Sequence, residues 1–307
     1  MIKRTLYFGN PAYLSIKDKQ LVIRIPEKTD GEIVSAGKTV TVPVEDIGLV
    51  ILDNWQITFT QHVMTALLEN NTAVVHCNAS HHPVGMLLNL DGHTLQTQRF
   101  RAQIEATEPL KKQLWQQTVI RKIENQAALL QSLSKDVKTL DFMIRNVKSG
   151  DPDNFEARAA AYYWGQLFSE YIPDFTRDRG GEPPNNMLNY GYAILRAAVA
   201  RALVGSGLLP TLGIFHRNQY NAYCLADDIM EPYRPFVDRA VLEFMQAGNK
   251  IPKDLNLDAK QHLLTVLQHD VHFDKDRSPL MVGLTKTTAS LSACFEGTKR
   301  KINYPKL

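Results

Sequence analysis

The sequence predicts an α+β protein, with a small β-rich N-terminal domain over residues 1–93 and a larger all-α domain over 94–307. Three observations carry that expectation. Short runs with strand-like alternation, punctuated by Gly, Pro, Asn and Asp, fill the first part. After His93, apolar residues recur at spacings of three and four through Leu110, Leu114, Ile120, Ile123, Leu129, Leu133, Val137, Leu140 and Ile144, with Pro nearly absent and Gln common. A length of 307 residues suits two domains and buries a sizeable core without staples.

Within the first domain, strands are expected over 5–9, 13–16, 21–25, 39–43 and 48–52. A short helix over 60–68 ends at Asn70-Asn71, and the chain returns to strand over 72–77. Long helices follow from about 95 to 147, and Gly150-Asp151-Pro152 breaks them. A polar, Gly- and Pro-rich loop over 176–186 precedes the most apolar stretch, 190–215. Arg196 and Arg201 interrupt that stretch, so it lacks the roughly 20 apolar residues of a membrane span. Residues 1–7 lack the basic and apolar pattern of a signal peptide. Three scattered cysteines, Cys77, Cys224 and Cys294, give neither a disulfide framework nor a CxxC clip. A cytoplasmic protein is expected.

Net charge is +3, which by itself points away from nucleic acid, but its distribution is uneven. Residues 1–93 carry seven Lys and Arg against nine Asp and Glu, a net of −2. Residues 94–150 carry ten against five, a net of +5, and the remainder is balanced at 18 of each sign. One helical stretch therefore holds the whole excess.

Three places carry residues able to do chemistry. Glu156 opens a segment with Ala159-Ala160-Ala161, which makes a helix thin enough for close approach. Asp153 or Asn154 is the expected cap. A Glu in a first helical turn is by itself ordinary, since it suits the helix dipole. His216 ends the apolar run 205–215, where a lone histidine more often only edges a core. Asp227, Asp228 and Glu231 put three acids in five residues of an apolar stretch. Asp228 and Glu231, three apart, share a helix face; ion pairs to Arg234 and Arg239 are the plain structural alternative. Carboxylates with one imidazole in apolar settings suit Mg²⁺ or Mn²⁺, an ion that would act on phosphoryl oxygens.

Three blocks occur in order: residues 155–163, with Glu156, Ala159, Ala160 and Tyr163; residues 185–195 and 205–216, ending in His216; and residues 225–238 (beginning LADDIMEPYR). The spacings are 60 residues from Glu156 to His216 and 15 from there to Glu231. Together the blocks resemble the CRISPR spacer-acquisition integrase family, in a form most like its type II branch. The resemblance spans most of the chain. It implies a β domain that dimerises and a helical catalytic domain. It also implies that Glu156, His216 and Glu231 ligate the metal, with Asp228 assisting. The implied activity is that of a metal-dependent DNA endonuclease and integrase, joining the 3′-hydroxyl of a short foreign DNA fragment into the repeat array by transesterification. Implied partners are double-stranded DNA, a second copy of the chain, and a small ferredoxin-like CRISPR protein. No nucleotide cofactor is expected, since no GxxxxGK[ST] loop is present. The three ligand side chains are expected to approach a common point. His216 either ligates the ion or contacts phosphate.

Arg99, Arg101, Lys111, Lys112, Arg121, Lys122, Arg145 and Lys148 of the basic stretch, with Arg177 and Arg179 of the polar loop, are candidate phosphate contacts. A solvated helix face is the competing reading of the first eight, and local pairing with Asp178 and Glu182 that of the other two. Tyr163 and Tyr190 read as core. His262, His269 and His272 with Asp270 lack a zinc-site spacing. The basic tail 298–307 is expected to fray or to meet a partner. Two other functions fit the same residues: a stand-alone structure-specific nuclease, and a non-catalytic DNA-binding scaffold.

Overall fold

The computed structural model describes residues 3–29, 32–35, 37–79, 81–274 and 276–307, the side chains of 27–36 excepted. By backbone packing the chain divides into two compact units, Met1–Gly92 and His93–Leu307.

The first unit holds two four-stranded sheets and one strand pair. Its strands are β1 (Arg4–Phe8), β2 (Ala12–Lys17), β3 (Gln20–Arg24), β4 (Glu27–Thr29), β5 (Glu32–Ser35), β6 (Thr39–Pro43), β7 (Ile47–Leu52) and β8 (Ile57–Phe59), then helix α1 (Gln61–Glu69), β9 (Ala73–Cys77) and β10 (Pro83–Leu87). One sheet runs β1-β7-β9-β10, parallel except for the β9–β10 pair. The other runs β6-β3-β2-β8, with β2 and β8 parallel. Every residue of β7 is buried, as its uninterrupted apolar run requires of a strand covered on both faces. Leu14, Leu21, Ile47, Val50, Val63, Leu67 and Val74 form one core cluster. Strands β8 and β10 are additions to the expected set, as is the β4–β5 pair.

The second unit is helical: α2 (Gln96–Ile104), α3 (Glu108–Ser132), α4 (Lys138–Asn146), α5 (Phe155–Leu167), α6 (Asn185–Gly205), α7 (Cys224–Met230), α8 (Arg234–Gln246), α9 (Leu257–Thr265) and, after the two-stranded hairpin β11 (Asp270–His272) and β12 (Arg277–Pro279), α10 (Leu280–Phe295). The hairpin is the one departure from an all-α second domain among the described residues. The central helix is α3. Thr107 caps it, its side chain accepting from Leu110 N, with Pro109 in the first turn. One face buries Leu114, Trp115, Val119, Ile123 and Leu130, and α4, α5 and α8 pack along the helix. Thr118, Lys122 and Asn125 are buried among these apolar residues. Buried polar groups need partners, and the C-terminal tail supplies some of them. Thr118 Oγ1 meets Tyr304 Oη at 2.9 Å, and Leu307 N donates to Asn125 Oδ1 at 3.1 Å. Gln117 pairs with the backbone of Arg300 and Ile302. The tail is therefore docked along α3 instead of frayed, with Ile302 and Tyr304 buried.

Helix α6 ends at Gly205, ten residues before the apolar stretch does, and the chain continues as irregular backbone to Tyr223. None of the described helices is long and apolar enough to cross a membrane.

A carboxylate–imidazole site in the helical unit

Glu156 is the second residue of α5. Asn154 adopts left-handed backbone (φ 52°) and makes no side-chain cap. The cap comes from Asp151, whose two oxygens accept from Phe155 N and Glu156 N, each at 2.9 Å. Neither Asp153 nor Asn154 fills the expected role, because the turn at Asn154 swings the chain so that a carboxylate further back reaches the exposed amides. Helix α5 packs against α3 with Ala159 fully buried, and the missing bulk brings Glu156 to Lys122 of α3.

Lys122 Nζ donates to Glu156 Oε1 and sits 2.5 Å from Glu231 Oε2. Glu231, 5% exposed, lies in the short turn Glu231–Tyr233 that follows α7. Its other oxygen accepts from Arg234 Nε at 2.8 Å. Burial alone would raise the Glu231 carboxyl, but the Arg234 and Lys122 charges outweigh it and hold the group at about 2. Burial pulls the Lys122 ammonium down, and the two glutamates reverse that and hold it above its ordinary range. The two carboxylates thus converge on one buried positive charge.

His216 is placed from the other side by Asp228. That carboxylate is fully buried in α7. It accepts from Ile214 N at 2.7 Å, Phe215 N at 3.0 Å and His216 N at 3.2 Å, and meets His216 Nδ1 at 2.6 Å. The loop folds this tightly because residue 213 is glycine: a Cβ there would lie 2.4 Å from His216 O and 2.8 Å from Asp228 Oδ2. With Nδ1 committed, Nε2 is the nitrogen left for a ligand. The Asp228 hydrogen bond, against the cost of burial, raises the imidazole above its ordinary value. Trp115 of α3 stacks on Phe215 (centroids 4.2 Å, planes 2° apart) and meets the His216 ring edge-on at 5.8 Å.

Among the described residues no group of three or more His, Cys, Asp and Glu gathers as a metal-ligand cluster. Glu156 and Glu231 meet around Lys122, whereas His216 is tied to Asp228. Asp228 is a positioning residue, its oxygens committed to the loop. Asp227 points elsewhere, paired with Arg196 Nε and Asn221 Nδ2, both at 2.7 Å. Asp238 of α8 is fully buried and bonded by the hydroxyls of Tyr163 (2.8 Å) and Tyr192. Burial lifts it to about 7 against those bonds. Tyr163 and Tyr190 are both core. His262 bonds Ala240 O at 2.8 Å and His269 meets Thr265 Oγ1 at 3.2 Å, local contacts that build no zinc site.

The candidate phosphate contacts divide. Arg99 is structural: its guanidinium bonds Ser206 O and His93 Nε2, each at 2.9 Å. Lys122 is buried, and so unavailable to solvent-side DNA in this state. Lys111 and Arg121 pair with Glu108 and Glu124 on their own helix. Arg101, Lys112, Arg145, Lys148 and Arg179 are exposed. Arg177 reaches Asn185 and Asn189 of α6 at 2.9 and 2.7 Å. With Arg179, Asn189, Tyr192, Arg196 and Arg234 it lines a pocket of about 160 Å³. A larger cleft of about 480 Å³ opens beside His216, with Gln103, Lys111 and Arg217 in its wall. Sequence reasoning missed Lys122 as part of the site, along with Trp115 and Arg196, whereas the ion pair it allowed between the acidic block and Arg234 is present at Glu231. A lysine one residue from Ile123, on the apolar stripe of α3, was the available signal.

Fold and site together describe a class, two-unit α+β chains that present buried carboxylates, an imidazole and an arginine-lined pocket from the helical unit. Within that class the comparisons are specific. The sequence profile of the family described as CRISPR associated protein Cas1 matches residues 6–269, and this chain belongs to that family. It is 36% identical over 295 residues to a CRISPR-associated endonuclease Cas1 of Neisseria meningitidis serogroup C (strain 8013), covering 95% of this chain and 92% of the relative. Its fold matches a casposase bound to integration product at TM-score 0.78 and 20% identity, covering 99% of this chain and 93% of that one. It also matches a chain of a Cas6-RT-Cas1–Cas2 complex at TM-score 0.72 and 21% identity, covering 98% of this chain and 36% of that one.

Proposed function

We propose that the chain is a metal-dependent DNA endonuclease and integrase of CRISPR adaptation, acting in the cytoplasm. Membership of the Cas1 family and the endonuclease name of the Neisseria relative support the reaction class. The observation that carries the site assignment is the convergence of Glu156 and Glu231 on one buried cation. Two carboxylates and an imidazole are the donor chemistry of Mg²⁺ or Mn²⁺, and a pair already holding an ammonium fits a cation. Glu156, Glu231 and His216 would hold the ion. When bound, it supplies Lewis-acid polarisation of a phosphoryl oxygen.

The chain's own residues do the rest. The 3′-hydroxyl oxygen of the incoming fragment attacks a phosphorus of the repeat. A new P–O bond forms as the hydroxyl releases its proton to solvent, the bond to the repeat's 3′-oxygen breaks, and that oxygen takes up a proton from solvent. One phosphodiester replaces another, so no nucleotide is consumed; with water as nucleophile the same site hydrolyses DNA. His216, fixed at Nδ1 by Asp228 and raised in basicity, keeps the Nε2 lone pair for the ion. Arg177, Arg179, Arg196 and Arg234 receive a neighbouring phosphate in their pocket, as fork-shaped donors suit. The β-rich unit serves dimerisation, and a small ferredoxin-like partner completes the integration complex; a Cas1–Cas2 assembly among the structural neighbours supports a protein partner.

The test is strand transfer of a short 3′-hydroxyl duplex into a supercoiled repeat array, with Mg²⁺ or Mn²⁺ and the partner present. Glu156→Gln, Glu231→Gln and His216→Ala should each abolish product. Integration by all three variants would overturn the site, and cleavage of branched DNA without the partner would favour a stand-alone nuclease.

A further inference from the structure

The predicted metal site carries its own counter-charge. Glu156 and Glu231 contribute two negative charges, and Lys122 and Arg234 contribute two positive ones within hydrogen-bond or ion-pair distance. Lys122 and Glu231 are 6% and 5% exposed, so these charges interact in a medium that screens them weakly. A divalent ion added here would leave a buried surplus of two positive charges. Buried uncompensated charge is strongly disfavoured. DNA phosphates, one negative charge each, are the anions that remove the surplus, one at Lys122 and one in the arginine pocket, which shares Arg234 with the site.

Resting on the metal reading above, we propose that Lys122 is a positioning residue. Its ammonium holds Glu156 and Glu231 in the cation position while DNA is absent, and it makes capture of the divalent ion depend on a DNA phosphate. The ion and the ammonium compete for the same two carboxylates. The ion enters when a phosphate takes over Lys122 as its partner. This keeps the nuclease site unloaded until substrate is seated.

The test reads metal binding, not turnover. Mn²⁺ is titrated into the full-length protein and free Mn²⁺ is followed by electron paramagnetic resonance. The titration is run without DNA and with a short duplex ending in 3′-deoxy sugars, the duplex's own uptake being subtracted. Wild-type protein should bind Mn²⁺ at least about tenfold more tightly with the duplex than without it. Lys122→Met should bind Mn²⁺ at least about tenfold more tightly than wild type without DNA, since a like charge in contact is gone. Its remaining response to DNA should shrink, and Lys122→Arg should behave as wild type. Equal wild-type affinity with and without the duplex overturns the proposal, even if Lys122→Met fails to fold. So does a folded Lys122→Met that binds no more tightly than wild type. Unchanged Mn²⁺ binding by a Glu156→Gln/Glu231→Gln double variant would instead overturn the metal reading itself, and the proposal with it.

Discussion

Glu231 and Asp238 are seven residues apart, and both are buried carboxylates of the helical unit. Asp238 is held by two neutral hydroxyls, those of Tyr163 and Tyr192, and burial lifts it to about 7. Glu231 is held by the ammonium of Lys122 and the guanidinium of Arg234, and it falls to about 2. Equal burial therefore goes with shifts in opposite directions, because charged partners in direct contact outweigh desolvation at Glu231 and not at Asp238. The contrast separates the two in function. Glu231 is an anion suited to a cation and phosphate chemistry, whereas Asp238 ties α8 to α5 and α6 through the hydroxyls of Tyr163 and Tyr192.

The largest effect that sharpens this contrast is on catalysis. Glu231→Gln keeps shape and removes the anion; strand transfer should fall by more than about a hundredfold, since loss even of groups that only orient metal ligands costs 10- to 100-fold. Asp238→Asn should retain far more activity, because Oδ1 still accepts from one tyrosine hydroxyl and Nδ2 can donate to the oxygen of the other. Equal losses in the two variants would break the comparison.

The next effect is on stability at the imidazole. Asp228→Ala would leave three backbone N–H groups of residues 214–216 and His216 Nδ1 without their acceptor. At about 1–3 kcal/mol for a buried unsatisfied group, the Ile214 N–H carries most of the cost, the other three groups being part-buried, and the protein should lose on the order of 3 kcal/mol. Urea denaturation measures the loss, and an Asp228→Ala variant with unchanged stability would show that the loop does not depend on this carboxylate.

An effect of similar size, spread over several pH units, separates the two acids by pH. The folded-state value of Asp238 is raised, so folded protein binds the proton more tightly than unfolded protein does. Its contribution is present below the unfolded value and is lost as pH climbs from about 4 towards 7, with a slope of up to about 1.4 kcal/mol per pH unit. The folded-state value of Glu231 is depressed, so its contribution is present above about 4.5 and is lost as pH falls towards 2. Asp238→Asn should flatten the stability profile between pH 4 and 7, and Glu231→Gln should flatten it only at the acid end. Thermal unfolding followed from about pH 2 to about pH 7 checks both windows.

The smallest effect concerns the exposed cations. Arg101→Gln or Arg145→Gln should weaken DNA binding modestly and reduce the dependence of log affinity on log salt by about one unit each if the residue meets a phosphate. Arg99→Gln should instead cost stability, because its guanidinium bonds Ser206 O.

Much of this architecture could be read before any coordinates. Alternation marked β2, β3 and β6, and the unbroken apolar run marked β7, because strand patterning follows directly from which faces are covered. Strands β8 and β10 escaped notice: β8 is three residues long with two of them exposed, and β10 begins at a proline and contains Gly85. The acidic block was legible because Asp227, Asp228 and Glu231 stand in an apolar stretch, where charge needs a reason. From the sequence Lys122 reads as one of the basic residues of α3 available to phosphate, since a lysine reads as solvated until the fold shows two carboxylates meeting over it. The same limit hid the Asp151 cap, which depends on the left-handed turn at Asn154, and the docked tail, whose partners lie about 180 residues away on α3.

Anomalous scattering at the manganese edge tests the central claim most directly, using crystals grown with Mn²⁺ and a short 3′-deoxy duplex. The account predicts one peak bound by Glu156, Glu231 and His216, with Lys122 drawn away to a phosphate. Glutamates still closed on Lys122, with no manganese between them and the duplex in place, would contradict it.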